Sequence, residues 1–200
     1  MFHKSQSLFP YTAAVPEAAE SAKATRTRRD IVAAAIECWS VDNSASLGEV
    51  AVTAGVGRTT VNRYFSDRAQ LIAAVDAECQ ARFAAALVRA RPAEDSGLTA
   101  LLRACGEIVH LGPVLGLIFA DNALIDPDAW DDDDSSDELG ALAARGQADG
   151  SIAADLPLAW VVTLVWTTLF AGWLMIKSET LTRPEVSQLL SRTLASGVAR

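Results

Sequence analysis

Apolar residues recur every three or four positions through most of the chain, and no stretch sustains the alternation of a half-buried strand. The pattern predicts an all-α protein. Ile31, Ala35, Cys38 and Trp39 share one face of a first helix that Thr25 or Thr27 would cap and that Asp42-Asn43-Ser44 ends. Ser46 can cap a short second helix, residues 47–54, followed by a turn whose Gly55 and Gly57 tolerate positive φ. A third short helix, residues 58–65, comes next. Asp67 with Gln70 three positions later is a capping-box-like start for a fourth helix running to about residue 91. Beyond the break at Pro92, helices are expected over 96–111, 113–124, 135–147, 156–178 and 183–198, separated by proline, glycine and an acidic run.

Two short helices joined by a glycine turn form a helix-turn-helix, whose second helix can enter a DNA major groove. Leu47, Val50, Ala51, Ala54, Val56, Val61 and Phe65 can face one small core. Arg58, Thr59, Thr60, Asn62, Arg63 and Tyr64 are left on or near the exposed side. Arginine suits guanine edges and phosphates, asparagine suits adenine, and threonine and tyrosine suit thymine methyls or phosphates.

The stretch resembles the amino-terminal signature of the TetR family of transcriptional regulators. Ser46-Leu47, Val50-Ala51, Ala54-Gly55-Val56-Gly57, Thr59-Thr60-Val61-Asn62, Tyr64-Phe65, Arg68 and Leu71 carry the likeness, which covers about residues 25–75. It departs from the family at three positions: Asn62 replaces a usual tyrosine, Tyr64 a usual histidine and Arg68 a usual lysine. The resemblance implies a three-helix DNA-binding domain (25–75) and a helical ligand-binding and dimerisation domain (76–200); the segment ahead of them, residues 1–24, with Pro10, Pro16 and no continuous apolar run, reads as a flexible arm. Ser46, Arg58, Thr59, Thr60, Asn62, Arg63, Tyr64 and Arg68 would then face DNA. The implied partners are a palindromic double-stranded operator, a second copy of the chain joined through the last two helices, and a small-molecule effector. Effector binding would release a repressor by population shift. The setting would be cytoplasmic.

Charge refines this picture. The 200 residues carry a net charge of −8, an unpromising figure for a DNA binder. Yet residues 21–68 hold seven basic and five acidic groups, whereas residues 85–200 hold eight and sixteen. A polyanion is therefore plausible only at the first part.

Candidate effector contacts are His110, Phe119, Trp130, Trp160, Trp166, Phe170 and Trp173, an aromatic set suited to an apolar or aromatic ligand. Glu107 and Asp121 could favour a cation beside it. On a helical wheel Val162, Trp166, Leu169, Phe170, Trp173 and Ile176 form one apolar face, with Trp160, Leu164, Ala171 and Met175 opposite. One face would cover the core and the other a twofold mate. Residues 156–176 are also uncharged over 21 positions, long enough for a bilayer span, so a membrane-anchored helical protein is the alternative. The three cysteines, Cys38, Cys79 and Cys105, are widely spaced and suit small buried apolar positions rather than a metal site. No catalytic motif, cofactor fingerprint or metal spacing is present.

Overall fold

The computed structural model describes residues 15–120, 124–125 and 138–199, with side chains from residue 21. Within them the chain forms α1 (Val15–Val41), α2 (Leu47–Thr53), α3 (Arg58–Tyr64), α4 (Arg68–Arg89), α5 (Gly97–Val109), α6 (Pro113–Phe119), α7 (Glu138–Ala148), α8 (Leu158–Lys177) and α9 (Arg183–Val198). Among the described residues no strand forms, and one isolated bridge joins Ile152 to Ala199.

The first helix begins earlier than its expected caps. Thr25 and Thr27 lie inside α1, where their hydroxyls donate back to the Ser21 and Lys23 carbonyls at 3.0 Å. Alanine, glutamate and lysine dominate the preceding turns, and their helix propensity carries the helix upstream. The expected arm over residues 1–24 is thus helical from Val15 onward. Helix α6 ends at Phe119 rather than near Leu124, because Ala120 turns to extended backbone.

Two hydrophobic cores organise the chain. The first gathers Ile31, Ala35 and Trp39 of α1, Val50 and Ala51 of α2, Val61 and Phe65 around α3, and Leu71, Val75 and Cys79 of α4. The second gathers Leu101, Ala104 and Ile108 of α5, Ala143 of α7, Val161, Val165 and Leu169 of α8, and Leu190 and Leu194 of α9. Helices α5 and α7 cross so closely that a Cβ on Gly97 would stand 2.1 Å from the Gly146 nitrogen.

Two helices belong to both cores. Leu71 to Cys79 of α4 enter the first and Leu87 enters the second. Val114 and Leu117 of α6 enter the first, while Leu115 enters the second. A division of the chain at residue 75 therefore does not separate the cores.

Helix α8 is long and apolar enough to cross a membrane, with a mean hydropathy of 1.8 over its most apolar window. It packs instead on α5, α6, α7 and α9. Its fully buried stripe is Val161, Val165 and Leu169, spaced four apart. Of the two faces read from the wheel, only Leu169 belongs to this stripe. The wheel counted bulky residues, whereas the packed side is set by contact with α5 and α7 and takes two valines and one leucine.

Candidate nucleic-acid interface and effector site

The local chemistry of residues 46–70 builds the helix-turn-helix. The Ser46 hydroxyl accepts from Glu49 N at 3.3 Å, and the Glu49 carboxylate accepts from Ser46 N at 2.7 Å, a reciprocal capping box. The same donation holds the Glu49 carboxyl below the usual carboxylate range. Gly55 takes φ of +66°, a conformation that costs other residues energy, and so the chain reverses between α2 and α3. Asp67 caps α4 by accepting from Gln70 N at 2.9 Å, and the Gln70 side chain accepts from Ser66 N at 3.1 Å.

Val61 and Phe65 are buried beneath α3, and this fixes which side faces outward. Arg58, Thr59, Asn62 and Arg63 are exposed, and Thr60 and Tyr64 are half-buried at the edges. Helical spacing puts the four exposed residues on one face. The Arg63 guanidinium lies 5.2 Å from the Tyr64 ring centroid, and Arg28 of α1 lies 5.1 Å from that of Phe65.

Two of the expected contacts are turned to other tasks. The Ser46 hydroxyl is engaged in its cap. Arg68 points inward: Nη1 donates to the Ala45 carbonyl at 2.6 Å, Nη2 to the Asn43 carbonyl at 2.5 Å, and Cζ sits 4.5 Å from the Trp39 ring centroid. Trp39 Nε1 donates to the same Ala45 carbonyl at 3.0 Å. Arg68 therefore ties the start of α4 to the α1–α2 loop.

The aromatic set divides. Phe119 meets Trp166, Phe170 and Trp173 with ring centroids 6.2, 5.3 and 5.8 Å apart, and Phe170 meets Trp173 at 5.7 Å. Phe83 of α4, not anticipated, stacks on Trp166 at 6.0 Å. Its spacing from Leu71, Val75 and Cys79 continues one four-residue stripe, a signal present in the sequence. His110 is outside this group; it is exposed and ends α5, its backbone N–H donating to Glu107. Trp160 is also outside, 58% exposed, because six residues before Trp166 is a different face of α8. Trp130 and Asp121 lie outside the described residues. Glu107 is taken up by Arg89 at 2.8 Å.

Burial pushes the Cys79 and Cys105 thiols up to about 12, so both stay protonated apolar side chains. Among the described residues no cluster of three metal-ligating side chains occurs.

No family model matches the sequence. The chain is 29% identical over 180 residues, 90% of its length and 94% of the relative's, to the HTH-type transcriptional repressor LfrR of Mycolicibacterium smegmatis. Its fold matches the crystal structure of the TetR-like regulator LfrR in complex with proflavine, with TM-score 0.68 and 28% identity over 88% of this chain and 98% of that one. It also matches a TetR family regulator from Marinobacter aquaeolei with TM-score 0.69, 16% identity, and coverage of 90% and 98%.

Proposed function

We propose that the chain is a TetR-like transcriptional regulator that represses transcription in the cytoplasm as a homodimer on a palindromic operator. The outward face of α3 carries this reading. Arg58, Thr59, Asn62 and Arg63 combine phosphate- and base-reading groups, and Val61 and Phe65 beneath them hold that face outward. One seven-residue helix buries little DNA, whereas two helices a DNA turn apart read a palindrome.

A second copy would dock on α8 and α9. Trp160, Leu174 and Met175 of α8 and Leu189 of α9 remain 38–58% exposed, an apolar surface large for a solitary chain. The effector would enter among Phe83, Phe119, Trp166, Phe170 and Trp173. A planar aromatic molecule suits edge-to-face rings of this kind, and a similar regulator has been crystallised with proflavine. Spreading these rings moves α4 and α6, the two helices shared with the first core, and so re-aims the recognition helix.

The test is fluorescence anisotropy with DNA from upstream of the chain's own gene, backed by selection from random duplexes. Saturable binding that weakens steeply with salt and disappears in Arg58→Ala/Arg63→Ala is expected. Proflavine should release the DNA from the native protein but not from Trp166→Ala. Failure to select any duplex would overturn the regulator reading.

A further inference from the structure

A cavity of about 350 Å³ lies away from the aromatic cluster's centre, between the end of α1, the α5–α6 turn, the end of α8 and the start of α9. Its walls are apolar: Val109 and Leu115 on one side, Trp173 and Ile176 on the other. Two cations, Lys177 and Arg183, stand at its rim. Arg183 Nη2 is 2.9 Å from where a Cβ on Gly112 would lie, and Lys177 Nζ is 4.9 Å from the Trp173 ring centroid.

Like the basic residues of α1 and α3 and like Arg192, these two cations have no carboxylate partner among the described residues, and both stand beside an apolar hollow. Arg82, Arg89, Arg91 and Arg103 each have a carboxylate within 3 Å, and Arg68 and Arg145 are engaged by backbone carbonyls. Among the described residues Lys177 and Arg183 have neither, although the whole chain carries eight more acidic than basic groups. Two uncompensated cations beside an apolar hollow match a molecule with one anionic end and one apolar body.

We propose that this cavity binds a small amphiphilic carboxylate, with its tail against Val109, Leu115 and Ile176 and its carboxylate between Lys177 and Arg183. The site is distinct from the aromatic effector site and shares only Trp173 with it. Its walls join α1, which supports the helix-turn-helix, to α8 and α9. The proposal does not depend on the operator reading, because its test contains no DNA.

The experiment is calorimetric titration of the full-length protein with decanoate and with decanol, which have equal tails and differ in charge. Decanoate should bind about tenfold or more tightly than decanol. In Lys177→Gln/Arg183→Gln, at two exposed positions, that preference should vanish while decanol binding persists. Val41→Glu, at a cavity-lining position 84% exposed, should also weaken decanoate selectively. Phe83→Ala, at the end of the aromatic cluster that stacks on Trp166 and not on Trp173, should leave decanoate binding unchanged. Equal affinity for the two probes, absence of binding, or a preference that survives the double substitution would overturn the proposal. So would loss of decanoate binding in Phe83→Ala.

Discussion

Replacing Arg68 by methionine removes a guanidinium that serves three neighbours at once, and the geometry sets the size of the effect. Two hydrogen bonds from a charged donor are lost, one to Ala45 at 2.6 Å and one to Asn43 at 2.5 Å. The side chain is half-buried and partly hydrated, so each is taken at the ordinary net value of a hydrogen bond, about 1 kcal/mol, rather than in the higher range for charged groups. The ring contact with Trp39 adds about 0.5 kcal/mol. Some of this is returned, because Ala45 keeps its bond from Trp39 Nε1 and the exposed Asn43 carbonyl can find water. Arg68→Met should therefore destabilise the fold by about 2 kcal/mol, measured by urea denaturation. Arg68→Lys should recover less than half, since an ammonium cannot bridge two carbonyls as the planar fork does. The salt dependence of DNA binding should be unchanged in Arg68→Met. A loss of stability below about 0.5 kcal/mol, together with a salt slope reduced by about one, would refute the reasoning and make Arg68 a phosphate contact.

Three further outcomes are expected. Leu169→Ala, at a fully buried position of α8, should cost about 3 kcal/mol in denaturant unfolding; a loss under about 1 kcal/mol would mean the α5–α8 core is not packed as described. Met175→Glu/Leu189→Glu should convert the proposed dimer to monomers in sedimentation velocity without altering helix content, and a dimer that persists in the variant would place the interface elsewhere. Asp42, Glu49, Asp67, Asp149 and Glu185 each accept local hydrogen bonds that hold their carboxyls below the usual range. Their stabilisation is complete above the ordinary carboxylate pKa and is lost as pH falls through the lowered folded values. The urea midpoint should thus hold from neutrality to about pH 5 and decline below about pH 4; Asp67→Asn should shrink that decline, and an unchanged profile would exclude the cap as a contributor.

Most helix boundaries after α1 were legible because they rest on chemistry within a few residues. Ser46 with Glu49, Gly55 at its turn and Asp67 with Gln70 act through local backbone geometry, which needs no tertiary partner. The outward face of α3 followed from the spacing of Val61 and Phe65. The start of α1 was not legible, since Thr25 is an acceptable cap and an equally acceptable helix residue with its hydroxyl turned back to Ser21.

What only the tertiary structure decided concerns side chains with more than one use. The sequence supplies a cation at Arg68 for DNA phosphate or for the Asn43 and Ala45 carbonyls, and the folded α1–α2 loop takes it. Uniformly apolar α8 has no readable inner side, so contact with α5 and α7 selects Val161, Val165 and Leu169. The aromatic residues share a composition but separate in space: Phe83 and Phe119 join Trp166, while Trp160 and His110 do not, because α4, α6 and α8 converge at one level of the bundle. Local periodicity determines which residues can lie together on a helix. Which face is covered depends on the neighbouring helices, and those are set by contacts far apart along the chain.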